Sequence, residues 1–296
     1  EVTGSNPVTP TISANERNRC ASMSVASESR VHRPISDLAE GLRRRVTTAL
    51  HDYQMLGPDD RVLVAVSGGK DSTALLLLLE ETRRRASFSF SLQPVILDQK
   101  QPGFLVDEYR DWLASRGFSL AVIERDTYSV VVEKIPEGKT YCSLCARLRR
   151  GILYNYAHQN GFTKIALGHH REDANETILM NMLFSGRIAA MPPKLRSDDG
   201  RNTVIRPLCN APEADIAKFA REQGYPIIPC NLCGNQANLQ RARIKRLLGD
   251  LSSEHPRIAE SLLAAQGNVQ LQQLRDRDLW NFSTFEQRGV QQSTRN

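Results

Sequence analysis

The sequence predicts an α/β fold, a doubly wound and mostly parallel sheet with helical additions at the N- and C-terminal ends. Short β-branched apolar runs alternate with segments of helical period, the order that builds parallel sheets. The first run, Val62-Leu63-Val64-Ala65-Val66, is apolar throughout, as a strand covered on both faces must be. It leads through a glycine pair into a leucine-rich helix, so strand, loop and helix follow without a break.

Residues 37–55 place Leu38, Leu42, Val46, Ala49, Leu50 and Tyr53 at helical spacing, with a basic turn at Arg43, Arg44 and Arg45. A turn at Gly57-Pro58-Asp59-Asp60 precedes the strand 61–66, and a helix is expected over 73–84. Further strands are expected at 91–97, 120–123, 164–167 and 203–206, and helices at 106–116, 144–160, 173–184 and 213–223. From Pro229 the period is helical alone, over 240–251 and 257–274, and beyond Asp278 a polar, Gln-rich stretch reads as a loose tail. Residues 1–34 are rich in Ser, Thr, Asn, Pro and Arg, without apolar periodicity, and are expected to be disordered. Met23 is the expected start of translation, and Cys20 an incidental thiol. The domains expected are a disordered segment 1–35, an α/β domain 36–228, a helical region 229–275 and a tail 276–296.

With 296 residues, 40% hydrophobic and 24% charged, the chain has an ordinary globular composition. Its net charge of +6 points to an anionic partner, nucleic acid first, because phosphates reward Lys and Arg by releasing counterions. A basic soluble protein without such a partner is the plain alternative. No apolar run approaches the roughly 18 residues of a membrane span, and no signal peptide opens the sequence. Six cysteines in a chain this long do not make a secreted disulfide scaffold. A cytoplasmic protein with no membrane partner is expected, and a homodimer is compatible with the sequence.

Ser67-Gly68-Gly69-Lys70-Asp71-Ser72 joins the first strand to its helix. Glycines let backbone N–H groups approach phosphate, a helix N-terminus supplies positive potential, and Lys70 adds a charge. Ser67 and Ser72 add hydroxyls, and Ser72 is a candidate helix cap. The loop is not a Walker A motif, which needs a glycine where Val64 stands. Most glycine pairs are plain turns; the strand before and the helix after favour phosphate binding here. The segment resembles the PP-loop of the ATP pyrophosphatases, which implies ATP and adenylation of a carbonyl oxygen with release of pyrophosphate. The rest of the nucleotide site is expected at the carboxyl ends of neighbouring strands. Asp98 and the Gly168-His169-His170 stretch stand there, with Glu172 and Asp173 next. Asp98 reads equally as a turn residue, and the histidines as ordinary loop residues. Asp173 is a candidate for the magnesium that accompanies ATP.

Cys142-Ser143-Leu144-Cys145 and Cys230-Asn231-Leu232-Cys233 are Cys-x-x-Cys pairs far apart in sequence, a strong metal signal together. From the residues alone a closed zinc site ranks first and iron–sulfur ligation second, with buried inert thiols the plain alternative. The motifs around them sharpen this. Pro136-Glu137-Gly138-Lys139-Thr140, the first pair with Arg147-Leu148-Arg149-Arg150-Gly151, and the stretch from Asp98 to Gly103 resemble the tRNA 2-thiocytidine synthetase family. So do Ala166-Leu167-Gly168-His169-His170-Arg171, Met191-Pro192-Pro193-Lys194 and Pro229-Cys230-Asn231-Leu232-Cys233-Gly234.

The resemblance implies an oxygen-sensitive 4Fe-4S cluster on three cysteines, here Cys142, Cys145 and Cys233, with Cys230 as competitor for the third place. The remaining iron would be open to a hydrosulfide. Cys209 falls where the family needs no cysteine and reads as structural. At Arg171-Glu172-Asp173 the family usually has paired aspartates; Glu172 departs from that and leaves Asp173 as the preferred magnesium ligand. The catalytic set implied is Cys142, Cys145, Cys233 and Lys70, with ATP held by residues Ser67 to Ser72, Asp98, Gly168 and His169. Arg147, Arg149 and Arg150 adjoin the first cysteine pair and are the RNA-binding candidates. Arg43 to Arg45, Arg83 to Arg85 and Arg241 to Arg246 read equally as solvated helix faces. The implied activity is ATP-dependent conversion of cytidine 32 of tRNA to 2-thiocytidine, with a cysteine desulfurase as sulfur donor. Rival readings are a zinc-bearing uridine thiolase, a sulfur-free PP-loop amidating or ligating enzyme, and a non-catalytic RNA-binding protein.

Overall fold

A computed structural model describes residues 36–134, 142–228 and 240–288. The expected N-terminal disorder, the Pro136–Thr140 motif, Cys230 and Cys233 lie outside the described residues. The described elements run α1 (Asp37–Asp52), β1 (Asp60–Val66), α2 (Lys70–Arg85), β2 (Phe90–Asp98), α3 (Val106–Ser115), β3 (Ala121–Glu124), α4 (Tyr128–Lys134) and α5 (Cys142–Gln159). They continue with β4 (Lys164–Ala166), α6 (Arg171–Ser185), β5 (Lys194–Arg196), β6 (Thr203–Ile205), α7 (Glu213–Gln223), α8 (Gln240–Glu254) and α9 (Ile258–Gln266). A hairpin of β7 (Trp280–Asn281) and β8 (Glu286–Gln287) follows.

The main sheet has the order β3-β2-β1-β4-β6-β5, parallel except for the β5 edge. The doubly wound fold is therefore present. Alternate residues of β1 serve opposite layers, as the period of a strand requires. Val62, Val64 and Val66 join the core formed with Leu42, Val46, Leu75, Leu79 and Phe219 of α1, α2 and α7. Leu63 joins the opposite core with Ala157 of α5, Ile165 and Val204. Each fully buried Leu or Val contributes about 1.5–3 kcal/mol, which anchors β1 to both layers. The helices α8 and α9 pack against α6 and each other. Among the described residues no helix is long and apolar enough to cross a membrane.

Several boundaries differ from those expected. The helix after the loop starts at Lys70, not residue 73, because Gly69 at φ −84°, ψ 163° already acts as the N-cap. Ser72 is thus inside the first turn and does not cap it; its Oγ accepts from Ser67 N at 3.0 Å and donates to Gly69 O at 3.2 Å. The helix expected over 257–274 ends at Gln266 with Gly267 as its C-cap, leaving a 3₁₀ turn at Leu271–Gln273. The tail past Asp278, read as loose, contains the short hairpin. The helix α4 and the edge strand β5 were not expected; each is too short for a periodic signal.

Gly168, just past β4, has its hydrogens against the backbone of α2. A Cβ there would lie 2.9 Å from both Ser72 Cα and Ser72 N. Neither atom can rotate away, so Gly168→Ala is expected to destabilise the protein by roughly 1–3 kcal/mol. Denaturant unfolding measures this, and an unchanged midpoint would contradict the close packing.

Candidate functional site

The nucleotide loop spans the gap between the buried end of β1 and the first turn of α2. Gly68 adopts φ +73°, a conformation that side chains disfavour, and a Cβ on it would fall 2.6 Å from Ile228 Cδ1. Ile228 N also donates to Gly68 O at 3.0 Å, so the segment after α7 braces the loop from behind. Tyr225, from the same segment, donates its hydroxyl to Lys70 O at 2.6 Å. With no side chain capping Gly69, the first N–H groups of α2 are left to an incoming anion.

Lys70 Nζ contacts both carboxylate oxygens of Asp71 at 2.9 Å and Glu213 Oε1 at 3.1 Å. Burial opposes its charge, but these carboxylates prevail and raise its pKa, so Lys70 is a firm cation. Glu213, at the start of α7, is shared with Lys245 of α8 at 2.8 Å. Sequence reasoning missed Glu213 and Tyr225, whose only local signals were a helix start and an aromatic after a glycine.

Asp98 ends β2, next to the loop's strand. Its carboxylate accepts from Lys100 N at 2.7 Å and pairs with Lys100 Nζ at 2.9 Å. Gln99, the next residue, is buried and accepts from Thr127 Oγ1 at 3.1 Å and from the Cys145 thiol at 3.3 Å. This brings the first cysteine pair to the nucleotide crevice, a proximity that no local pattern announces. Cys145 is buried within α5, the helix that begins at Cys142. Gln101 Oε1 is buried without a hydrogen-bond partner among the described residues. A thiol and an orphaned acceptor beside a nucleotide loop fit a site for a further group. Cys209, by contrast, is buried against Arg206 and Asn210, and burial pushes its thiol up to about 11; a structural role suits it.

On the other side of β1, Gly168, His169 and His170 follow β4. His169 Nδ1 accepts from Arg206 Nε at 3.2 Å. Burial first, then the Arg206 charge, lowers its pKa to about 4, so this ring is neutral near pH 7. His170 is buried among carboxylates, with Glu172 Oε2 3.3 Å from Nδ1 and Asp173 Oδ2 3.5 Å from Nε2. Burial works against its charge, but Glu172, Asp173, Asp71 and Glu213 outweigh it and raise the pKa. Asp173 Oδ2 accepts from His170 N at 3.0 Å, and Oδ1 from Arg241 of α8 at 3.0 Å. A magnesium ion would reach Asp173 by displacing Arg241. Among the described residues no cluster of three or more His, Cys, Asp or Glu has the arrangement of a metal site.

The arginine patches separate by their partners. Arg43 and Arg85 pair with Glu40, and Arg83 and Arg84 with Glu80, so those groups are ion-paired helix faces. Arg147 and Arg150 are exposed on α5 and Arg149 half-buried, with no carboxylate partner among the described residues. They remain available to an anion beside Cys145.

The neighbouring histidines are expected to titrate on opposite sides of their ordinary value, His169 near pH 4 and His170 above 6.5. His169 then favours folding above pH 6.5, and that contribution is lost as pH falls towards 4. The His170 contribution is complete below its unfolded value and lost as pH rises through its raised folded value. NMR titration of the ring protons checks both directions, and matching midpoints would refute the assignment.

Residues 38–250 match the PP-loop domain family. A tRNA-cytidine(32) 2-sulfurtransferase from Bdellovibrio bacteriovorus is 52% identical over 248 residues, 84% of this chain and 95% of its own. One from Anaeromyxobacter dehalogenans is 54% identical over 245 residues, 83% of this chain and 84% of its own. Among solved structures, the U34-tRNA thiolase of Methanococcus maripaludis with its 4Fe-4S cluster has a TM-score of 0.62. It is 21% identical, with 78% of each chain covered, and so shares the fold.

Proposed function

The chain belongs to the PP-loop family and within it to the tRNA-cytidine(32) 2-sulfurtransferases, and on that premise we propose that it thiolates cytidine 32 of tRNA at the expense of ATP. The observation that carries this reading is the Cys145 thiol bonded to Gln99, one residue beyond Asp98 in the nucleotide crevice. Sulfur chemistry and adenylation would then take place at the carboxyl ends of neighbouring strands. A PP-loop enzyme without sulfur would have no use for a thiol there.

ATP would lie with its phosphates against the free N–H groups of α2, the Ser67 hydroxyl and Lys70, and its nucleoside towards Asp98. The C2 oxygen of cytidine attacks the α-phosphorus, pyrophosphate leaves, and C2 now carries AMP as a good leaving group. A hydrosulfide then adds at C2, and the C–O bond breaks to release AMP. Lys70, held as a cation by Asp71 and Glu213, stabilises charge on the phosphates as it builds. Donors of this kind are each worth roughly 10²–10³ in rate. Asp173 is the carboxylate proposed for magnesium, with Arg241 giving way.

Cys142, Cys145 and Cys233 would hold a 4Fe-4S cluster, with Cys230 the competitor for the third place; as a ligand Cys145 gives up the proton it donates to Gln99, whose amide N–H would then turn to the thiolate. Bound there, the cluster supplies the sulfur nucleophile. A cysteine desulfurase is the proposed sulfur source. Arg147, Arg149 and Arg150 would receive the anticodon arm, whose loop can present an unstacked base.

Anaerobic reconstitution with iron and sulfide, followed by reaction with unmodified tRNA, ATP and a sulfur donor, tests the proposal by nucleoside analysis. Formation of 2-thiocytidine only with iron, sulfide and ATP together is the expected result; thiouridine or no thionucleoside would sink it. Cys142→Ala should abolish thiolation while leaving ATP affinity within about twofold. Lys70→Ala should slow pyrophosphate release by roughly 10²-fold.

A further inference from the structure

Arg206 directly follows β6, so it stands at the carboxyl edge of the sheet beside His169 after β4. Its guanidinium donates from Nε to His169 Nδ1 at 3.2 Å and from Nη1 to Pro192 O at 2.6 Å. Neither partner carries negative charge. Among the described residues no carboxylate pairs with Arg206, whereas Arg171, Arg201 and Arg241 each have at least one. Nη2 has no hydrogen bond among the described residues and is not sealed from solvent. Asp173 is near enough to favour its charge but makes no contact with it. A mostly buried guanidinium without a paired carboxylate is unfavourable, and a neutral amide could make both of its existing bonds. Those bonds therefore explain its position and not its charge.

His169 accepts on Nδ1, so its own proton is on Nε2 and the ring adds a donor without a second charge. Nucleotide phosphates are already served by α2 and Lys70. β6 is separated from β1 by β4, and two strand spacings put Arg206 roughly 10 Å from the loop's strand, away from Asp98. That places it on the side of the crevice where the second substrate must enter. It also approaches α5: the phenol of Tyr154 feels the charges of both Arg150 and Arg206. Asp198 and Asp199 act on the same phenol, so Arg206 and Arg150 flank Tyr154 within a mixed-charge surface.

We propose that Arg206, oriented by His169, is the receptor for one phosphodiester of the RNA substrate, holding the backbone beside the base that reacts. The identity of that RNA rests on the proposed function; the binding test does not need sulfur transfer and so fails separately from it. Full-length Arg206→Gln and Arg206→Lys are titrated with unmodified tRNA over a salt series, and separately with ATP. In Arg206→Gln, tRNA affinity is expected to fall about tenfold or more. The slope of log affinity against log salt should become shallower by about 0.7, as for one lost phosphate contact. Arg206→Lys should keep the slope, and ATP affinity should hold in both. Weakened ATP binding with intact tRNA binding would assign the anion to the nucleotide and overturn the proposal. Unchanged tRNA affinity and slope in a folded Arg206→Gln would make the guanidinium a mere brace. If Arg206→Gln does not fold, anticodon stem–loops with a single neutral methylphosphonate at successive positions are compared on wild type and Arg206→Lys. One position that weakens wild type about tenfold and Arg206→Lys less supports the contact; an identical profile in both overturns it.

Discussion

Backbone meets backbone where Gly168 lies against the first turn of α2. A Cβ at Gly168 would stand 2.9 Å from Ser72 N, so β4 and α2 can approach this closely only through glycine. The contact sits at the reversal of strand order between β1 and β4, where open α/β sheets form their ligand crevice. It fixes the spacing between the nucleotide loop and the His169–Arg206 side of the site. A looser junction would let those halves drift apart, and adenylation depends on holding ATP and base in one geometry.

Around that junction the site is organised by charge. Lys70, His170, Arg171, Arg241 and Lys245 interleave with Asp71, Glu172, Asp173, Glu176 and Glu213, so α2, α6, α7 and α8 meet in one ion-pair network. Such a network keeps Lys70 protonated and ties the later helices to the loop. It also holds carboxylates in reserve, because an arriving cation or phosphate can exchange with partners already present. Arg206 differs in having only neutral partners among the described residues.

Two groups of residues meet from opposite sides of β1. β2 and α5 bring Asp98, Gln99 and Cys145 together, while β4 and β6 bring His169 and Arg206. The loop after β1 lies between them. This arrangement suits a reaction in which an activated oxygen must be replaced by sulfur without the intermediate leaving the crevice.

Much of this was legible in the sequence because its signals are local. The apolar run of β1, the Gly68-Gly69 loop and the leucine face of α2 each declare themselves within a few residues, and the sheet follows from alternating periods. The Cys-x-x-Cys spacing likewise raises an expectation of metal or sulfur chemistry from the sequence alone. The helix start at Lys70 and its end at Gln266 were less clear, since glycine caps shift boundaries without altering the apolar pattern. Long-range placement was hidden altogether. Gln99 meeting Cys145, Glu213 and Tyr225 reaching Lys70, and Arg206 meeting His169 join residues between 37 and 155 positions apart. Only the packing of strands side by side decides such meetings, because a side chain's neighbours across a sheet depend on strand order and register, which no local period records.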